Sequence, residues 1–530
     1  MISWFPFRSF LMFTVFPTLL LAHGFAVADV LPVKQETVAD SLTSARTVSG
    51  DYISWREHRI DDQGVNGGVA IRGGDGIAIG DIDGDGLEDL VTAHEDSNHI
   101  RAAFSNGITE DWTLRTIADG ALAGAVEDVV LVDLNRDGYP DIVAACEDAH
   151  LVYLQNPGKH ARTGEWKAFI PDFARGRGSW LRVFAADMDG DGFAELTAAN
   201  KGTADVVQLD AGDADNGATS LIRVLGDPLI STNWQETVLF QEGVPNTALP
   251  VDIDVDGDVD VIAAKRVRQQ VVIIENRGVS DRGELETRPS PVRILPAVDV
   301  PAGWRALTNA FHADTADINN DGRLDLLVNV LELADDPSFR HAGLGWLMQG
   351  QTLDVPWVLH RIGNTLPDWV IGIHVTDIDG DGDEDVVTGG YSGINIIDGA
   401  YSGASRDFDD PLVTPASSVG RIAWFENPGS VDGKWNRHDI SRRTRGMFDM
   451  YVSRDVDGDG DIDLISTRGN SGQYDGVFWL EQVRTKAPAS SFTPARASES
   501  KALPLPPANW LELYDRKQTF IAPNKKGEKP

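Results

Sequence analysis

Short apolar runs separated by polar turns recur along the chain, and an acidic turn marks each recurrence. Before each acidic turn stands a short apolar stretch such as GIAI or VVLV, and after it a run such as LVTA or VIAA. A second apolar run follows, often closed by Asn and Gly, as in VYLQNPG and IAWFENPG. Their length, β-branched content and bounding residues are typical of strands, and no useful length of helical periodicity is present.

A fourth strand-like segment begins with Trp in most repeats, as in WTLRTI, WKAFI, WQETVL, WVLHRI and WNRHDI. In blade five, PVRIL is expected to take its place. Each repeat therefore predicts four short strands. Seven such units in series predict an all-β fold, a seven-bladed β-propeller.

The acidic turn occurs seven times. We number the copies loop 1 to loop 7: DIDGDGLED (81–89), DLNRDGYPD (133–141), DMDGDGFAE (187–195), DIDVDGDVD (252–260), DINNDGRLD (317–325), DIDGDGDED (377–385) and DVDGDGDID (455–463).

The two ends of the repeat region predict how the ring closes. The Trp-led strand is missing after loop 7, where the chain reads VFWLEQV, whereas an extra one, YISWREHRI around Trp55, precedes loop 1. We expect this N-terminal strand to complete the last blade and close the ring. A stray strand beside an imperfect last blade is the alternative.

The spacing of the acidic turns suits a calcium ion, which takes six to eight oxygen ligands. In loop 1, Asp81, Asp83 and Asp85 can converge, the carbonyl of Leu87 can point inward, and Asp89 can close the cage. Asp-Gly turns that bind nothing are the alternative, although carboxylates this close repel one another without a cation.

Seven loops predict up to seven Ca²⁺ ions. Asn135, Asn319 and Glu195 depart from the acidic pattern and predict weaker or distorted sites. The predicted ligands are Asp81, Asp83, Asp85, Leu87 and Asp89; Asp133, Asn135, Asp137, Tyr139 and Asp141; Asp187, Asp189, Asp191, Phe193 and Glu195; Asp252, Asp254, Asp256, Asp258 and Asp260; Asp317, Asn319, Asp321, Arg323 and Asp325; Asp377, Asp379, Asp381, Asp383 and Asp385; and Asp455, Asp457, Asp459, Asp461 and Asp463.

The acidic loops with an apolar strand on each side resemble the FG-GAP/VCBS repeats of integrin α-chain heads and of many secreted bacterial proteins. The resemblance covers about residues 50–484. It implies a calcium-binding propeller that acts as an adhesion or lectin-like module for a glycan or an extracellular protein. Because the family includes carbohydrate-active enzymes, a polysaccharide lyase or sugar dehydratase is the alternative, and no catalytic residue is assigned.

Charge narrows the range of partners. The 530 residues carry 82 acidic and 46 basic side chains, a formal net charge of −36, which disfavours nucleic acid and anionic membranes. Cys146 is the only cysteine, so an intramolecular disulfide is impossible.

The chain ends differ in composition from the repeats. Arg8, an apolar run and Ala26-Val27-Ala28 predict a signal peptide over 1–28, with an uncleaved anchor as the alternative. We expect a polar linker over 29–50, the propeller over 51–484 and a Pro/Ala/Ser-rich tail over 485–530. The mature chain should be secreted, periplasmic or on the cell surface, without a membrane span. The oligomeric state stays open.

Ligand binding is expected on the face opposite the acidic loops, built from the two-to-three turns and the four-to-one connections. That face mixes histidines, acids, bases and aromatics, as sugar or peptide recognition requires. Ordinary polar turns would also contain such residues. The candidates are His94, Asp128, Arg182, Lys265, Arg266, His312, Tyr391, Tyr451 and Arg468, with Asp449 beside Tyr451. The long insert from Gly389 to Val419 is a further candidate loop.

Overall fold

The computed structural model describes residues 42–202, 217–241, 244–265, 270–281, 284–297, 305–333, 340–363, 369–391, 419–444, 446–469 and 471–496. The predicted signal peptide, Arg266, the side chain of Tyr391 and most of the insert lie outside the described residues.

The described residues form seven sheets, each built on four antiparallel strands. The strands are β1 (Tyr52–Asp62); in blade 1, β2 (Gly74–Gly80), β3 (Asp89–His94), β4 (His99–Ile108) and β5 (Asp111–Asp119); in blade 2, β6 (Val126–Val132), β7 (Asp141–Cys146), β8 (His150–Gln155) and β9 (Lys167–Phe169); in blade 3, β10 (Ser179–Ala186), β11 (Glu195–Gly202), β12 (Ala218–Val224) and β13 (Trp234–Phe240); in blade 4, β14 (Pro245–Val251), β15 (Asp260–Lys265), β16 (Gln270–Val279) and β17 (Leu285–Pro291); then β18 (Ile294–Pro296); in blade 5, β19 (Arg305–Ala316), β20 (Asp325–Leu333), β21 (Arg340–Met348) and β22 (Trp357–Gly363); in blade 6, β23 (Trp369–Thr376), β24 (Asp385–Tyr391), β25 (Val419–Glu426) and β26 (Asn436–Thr444); and in blade 7, β27 (Tyr451–Arg454), β28 (Asp463–Arg468) and β29 (Gly476–Thr485), followed by β30 (Phe492–Thr493).

The helical content of the described chain is limited to short 3₁₀ turns, at Glu95–Ser97, Gly120–Ala123, Gly158–His160, Ser231–Asn233 and Gly472–Tyr474. No helix there has the length and hydropathy needed to cross a membrane.

The first strands of the seven blades form the inner wall of a ring. Each contacts the first strand of the next blade, in the order β2, β6, β10, β14, β19, β23 and β27, and β27 contacts β2 again. The chain is therefore an all-β, seven-bladed β-propeller, as the repeats predict.

The N-terminal strand closes the ring. β1 pairs antiparallel with β29 from Tyr52 opposite Thr485 to Arg59 opposite Phe478, so it is the fourth strand of blade 7. Trp55 is 3% exposed and packs in the core between blades 6 and 7. The predicted closure is confirmed. β30 then adds a short parallel strand outside β1.

The core is divided among the blade interfaces. Seven apolar clusters fill the seven interfaces between neighbouring blades, each drawing side chains from both sheets. The fully buried side chains include Trp180, Trp346, Trp357, Trp424 and Trp479. Because every blade buries both faces against neighbours, the stability of each blade depends on the complete ring.

One predicted strand is wrong. PVRIL does not supply the fourth strand of blade five, because β22, led by Trp357, takes that place. The last two residues of PVRIL, Ile294 and Leu295, instead belong to β18, which pairs in parallel with β22 as a fifth strand. Blade 4 ends on β17, which contains Pro289 and Pro291; proline lacks an amide donor and therefore suits an outer strand.

A cross-link tests the closure. Arg56 and Glu481 lie opposite each other on β1 and β29 and form an ion pair at 2.8 Å. Oxidised Arg56→Cys/Glu481→Cys protein should keep its terminal fragments joined after proteolysis. Its free energy of unfolding should rise by up to about 5 kcal/mol, because the bond restrains a long unfolded loop.

The control pair is Arg56→Cys/Arg484→Cys, since Arg484 lies opposite Ile53 instead. The native Cys146 is buried and should not compete. Equal cross-linking of the two pairs would contradict the register.

Candidate functional site

The acidic loops are the turns between the first and second strands, so all seven lie on one face, which we call the aspartate face. In loop 1, the Asp81 carboxylate accepts hydrogen bonds from the amides of Gly84 and Gly86 at 2.8 and 2.9 Å. Asp83 and Asp85 accept amides two residues further on. Gly86 has φ of +90°, so this bend favours glycine.

The same first-aspartate contact recurs in every other loop. The amide of the glycine five residues on donates at 2.7–3.1 Å to Asp133, Asp187, Asp252, Asp317, Asp377 and Asp455. The backbone of each turn therefore gathers its acids before any ion contributes.

The closing acid anchors each loop to its sheet. The two carboxylate oxygens of Asp89 accept the amides of Ile82 in the loop and Ser105 on β4, at 3.0 and 2.8 Å. Glu195 is 7% exposed, and the other closing acids, Asp89, Asp141, Asp260, Asp325, Asp385 and Asp463, are each 1% exposed or less.

Burial raises the pKa of every closing acid. It lifts the pKa of Asp89 to about 6 and that of Asp385 to about 8. The pKa rises to about 7 for Asp141, Glu195, Asp260, Asp325 and Asp463. Without a cation, these carboxyls are therefore held in a site that disfavours their charged form.

A side-chain amide connects neighbouring loops, and sequence analysis missed it. Asn156, at the end of β8, donates its amide NH₂ to the carbonyl of Pro140 in loop 2 and to that of Ile82 in loop 1, both at 2.8 Å. Its backbone amide donates to Asp141. This contact, the inter-blade amide, explains the Asn of the NPG and NRG segments.

Five blade junctions in the described chain have an inter-blade amide. After Asn156, the donors are Asn276 to Met188, Gln349 to Ile253, Asn427 to Ile318 and Gln482 to Ile378, each at 2.8–3.2 Å. Hydrogen bonds thus connect neighbouring acidic loops at these five junctions of the ring.

The loops fit a hard divalent cation. In loops 1, 3, 4 and 6, carboxylate oxygens from three acids lie within 4.8 Å of one another. In loops 3, 4, 5 and 7, one buried carboxylate oxygen lacks a hydrogen-bond partner: Asp187 Oδ1, Asp254 Oδ1, Asp325 Oδ2 and Asp461 Oδ1. Buried polar atoms are normally satisfied, so these oxygens suit a missing ligand contact.

Arginines approach three loops from outside the motif. Arg162, from the turn after β8, contacts Asp83 and places Nη2 2.7 Å from Asp85 Oδ2. Arg223 contacts Asp189 at 2.9 Å, and Arg484 lies 3.4 Å from Asp461. A linear motif cannot reveal these cations, because Arg162 comes from the neighbouring blade and Arg223 and Arg484 come from the third strands of blades 3 and 7.

On the opposite face, four ionisable residues from four blades meet near the ring axis. Arg182 Nη2 lies 2.6–2.8 Å from the ring nitrogens of His312 and 3.6 Å from Asp449 Oδ2. His312 Nε2 lies 2.7 Å from Asp449 Oδ1, and Arg182 Nη1 lies 3.8 Å from Asp128 Oδ1. We call these four residues the axial network.

The axial network is buried, with each residue at most 6% exposed. Burial and Arg182 lower the pKa of His312. Burial raises the pKa of Asp449, but His312 and Arg182 more than offset this and hold it below its usual value. A neutral His312 with its proton on Nε2 can donate to Asp449 and accept from Arg182.

The structure therefore brings Asp128, Arg182 and His312 together, with Asp449 as their common partner. Other ligand-binding candidates have separate surroundings. His94 is fully buried, 3.0 Å from Thr92 Oγ1, and burial lowers its pKa to about 3. The Lys265 ammonium lies over the ring of Phe240, and Arg468 Nε donates a hydrogen bond to Ser471 Oγ.

Tyr451 is also buried, in the core between blades 6 and 7. Arg266 and the Tyr391 side chain lie outside the described residues.

The protein is therefore a seven-bladed β-propeller whose turns between the first and second strands of each blade are rich in aspartate. The model of the FG-GAP-like repeat matches residues 81–144, 133–198 and 252–328, and each match begins at one of these loops. Three FG-GAP-like repeats on a seven-bladed β-propeller match the family that the sequence resembles.

Solved structures with a similar fold include BBS1N in complex with ARL6DN, soaked with lead, at 11% identity and TM-score 0.38, covering 84% of this chain and 99% of that chain. YCF48 from Cyanidioschyzon merolae has 9% identity and TM-score 0.42, covering 81% and 98%. The Dos1 propeller has 11% identity and TM-score 0.38, covering 77% and 76%. No curated protein matches the chain.

The raised pKa values of the closing acids predict the pH dependence of calcium stabilisation. In the metal-free fold these acids titrate at about 6–8, above their values of roughly 4 in an unfolded chain. Between these two sets of values the folded state binds more protons than the unfolded chain. The stability of the metal-free fold therefore falls as the pH rises from roughly 4 to about 8. A calcium ion would bind the ionised form, so its stabilising effect should grow over the same pH range.

The measurement is the drop in melting temperature on chelation, compared at pH 5 and pH 8. We expect the larger drop at pH 8. An equal or smaller drop at pH 8 would show that the closing acids do not control ion binding.

Proposed function

We propose that this protein is an exported, calcium-stabilised β-propeller that binds a glycan or an extracellular protein on the face opposite its aspartate loops. The observation that carries the proposal is the difference between the two faces. The acids of the aspartate face are turned inward by their own backbones, whereas charged groups of several blades converge on the opposite face.

Calcium use is supported by the unpartnered buried oxygens in loops 3, 4, 5 and 7. An ion there would neutralise carboxylates whose charged form burial otherwise disfavours. It would also stabilise a turn that the inter-blade amide joins to the neighbouring blade. Export is supported by the signal-like N-terminus. An exported protein encounters calcium at the millimolar concentrations that extracellular modules use.

Ligand binding is tested with paired charge reversals. Asp96→Lys/Asp148→Lys alters two exposed turn residues on the opposite face, and Glu110→Lys/Glu165→Lys alters two on the aspartate face. A glycan array and a panel of immobilised extracellular proteins, probed in calcium, should give ligands that wild type and the aspartate-face variant bind alike. The opposite-face variant should bind them at least about tenfold more weakly.

Two outcomes would contradict the binding proposal. One is equal binding by both double variants. The other is selective loss in the aspartate-face variant, which would place the ligand on the wrong side of the disc.

One observation favours a second function, a lyase acting on uronic-acid polysaccharides. His312 lies within hydrogen-bond reach of Arg182 and Asp449, and elimination requires a base near a group that stabilises a carboxylate or enolate. Incubation with uronic-acid polysaccharides should then produce the absorbance of an unsaturated product, and His312→Asn should abolish it. Absence of that absorbance on every substrate would eliminate the lyase.

A further inference from the structure

Loop 2 has an amide side chain, Asn135, at the third position of the motif, where five of the seven loops have an acid. The side-chain oxygen of Asn135 accepts the amide of Asp137 at 3.0 Å, just as Asp83 accepts that of Asp85 in loop 1. Because this contact requires the oxygen, the other end of the side chain is the NH₂ group, which donates to Asp137 Oδ2 at 2.9 Å. An amide NH₂ group only donates, so it cannot be a ligand of a cation.

The closing acid of loop 2 also has a donor that belongs to the protein. The Tyr153 hydroxyl donates to Asp141 Oδ2 at 2.8 Å, and the backbone amide of Asn156 donates to Asp141 Oδ1 at 2.8 Å. Tyr153 lies on β8 and is fully buried, so the packing of its ring holds the hydroxyl at this oxygen.

Every carboxylate oxygen of loop 2 therefore has a hydrogen-bond donor. The two oxygens of Asp133 accept the amides of Asp137 and Gly138 at 3.1 and 2.8 Å. Those of Asp137 accept the amide of Tyr139 at 3.0 Å and the NH₂ group of Asn135. The closing acid accepts the two donors described above. The protein's own groups thus supply contacts that a cation would otherwise make.

Loop 5 shows what the tyrosine adds. It also has an asparagine at the third position, Asn319, whose oxygen accepts the amide of Asp321 at 3.0 Å. Trp346 takes the place of Tyr153, because each lies opposite the residue two positions after its closing acid. The indole nitrogen of Trp346 has no hydrogen-bond partner, and Asp325 Oδ2 has none either. The closing acid of loop 5 is therefore open to an ion, whereas that of loop 2 is not.

Loop 4 shows the effect of an acid at the third position. Asp254 stands where loop 2 has Asn135, and its buried Oδ1 atom has no hydrogen-bond partner. Oxygens of Asp252, Asp254 and Asp260 lie within 4.8 Å of one another. Loop 4 carries five carboxylates and loop 2 carries three, so the charge that attracts a cation is also smaller in loop 2.

We propose, on the basis of the calcium use proposed above for the other loops, that loop 2 takes no calcium ion. The Asn135 amide and the Tyr153 hydroxyl give this loop the closed form that an ion gives the others. The turn of blade 2 is then complete without calcium, and the chain binds at most six ions in its seven loops.

Amide hydrogen exchange of the full wild-type chain, in calcium and in excess chelator, compares loop 2 with loop 5. The amides of Asp321 and Gly322 in loop 5 should exchange at least about tenfold faster in chelator, because a bound ion protects the turn that it closes. The equivalent amides of loop 2, those of Asp137 and Gly138, should exchange at the same rate in both solutions. Slower exchange of the loop 2 amides in calcium would overturn the proposal.

A paired substitution should create the missing site. Asn135→Asp/Tyr153→Phe restores an acid at the third position and frees Asp141 Oδ2, so this variant should bind one ion more than wild type in equilibrium dialysis with radioactive calcium. The matched control is Asn319→Asp in loop 5, which should bind an existing ion about tenfold more tightly and leave the count unchanged. Tyr153→Phe alone keeps the amide and should add no ion.

An ion count equal to that of wild type in the folded Asn135→Asp/Tyr153→Phe variant would overturn the proposal. If that variant does not fold, the exchange comparison in wild type decides alone. Failure of the proposed calcium use gives a different result, because wild type would then bind no ion in its loops and loop 5 would be as indifferent to chelator as loop 2. The paired variant would still decide in that case, since one bound ion supports the proposal and none overturns it.

Discussion

Excess chelator should lower the melting temperature of the protein by roughly 10 °C. Each ion bound at about 100 times its dissociation constant stabilises the fold by about 2.7 kcal/mol. Four loops contain an unpartnered buried oxygen, which gives about 11 kcal/mol for these sites together. In a chain of this size, about 1 kcal/mol corresponds to roughly 1 °C or slightly more.

Differential scanning calorimetry in calcium, in chelator and after calcium is restored measures this effect. Asp254→Asn is the internal control, because it removes one acid from loop 4 and leaves the other loops intact. Its chelator effect should be smaller than that of wild type by about one ion's share. A melting temperature indifferent to chelator in both proteins would contradict the account.

Arg182→Met should destabilise the fold by about 3–5 kcal/mol, the second large effect that the structure predicts. The substitution keeps an unbranched apolar stem but removes the cation that faces Asp128, His312 and Asp449, all of them buried. Two buried carboxylates would then be left without their arginine. The urea midpoint of unfolding is the measurement.

The matched control is Arg56→Met. Arg56 is 49% exposed and pairs with Glu481 on the surface, so its loss should cost less than about 1 kcal/mol. Arg182→Lys should recover part of the stability by restoring the charge without the planar fork. Equal destabilisation by Arg182→Met and Arg56→Met would mean that the axial network does not hold the blades together.

The fold could be predicted because its information is local and repeated. Each acidic loop lies between two apolar runs that each fit one strand, and the displaced Trp55 strand revealed the closure. The parallel pairing of Ile294–Pro296 could not be predicted in the same way. It depends on where the chain passes blade 5, and pairing across blades leaves no periodic trace in the sequence.

The same distinction between local sequence patterns and contacts of distant segments applies to the sites. The acids of each loop follow from their spacing, whereas Arg162 reaches loop 1 from the neighbouring blade. The axial network needs inner strands of four blades to meet at one axis, so sequence suggested Arg182 and His312 without showing that they touch.

Anomalous diffraction from crystals grown in calcium tests the central claim, a closed seven-bladed ring with calcium in its aspartate loops, most directly. The account predicts anomalous peaks about 2.3–2.6 Å from carboxylate oxygens in loops 3, 4, 5 and 7, including those of Asp187, Asp254, Asp325 and Asp461. Aspartate loops that contain only water or arginine side chains, with no anomalous peak in any of the seven, would contradict it.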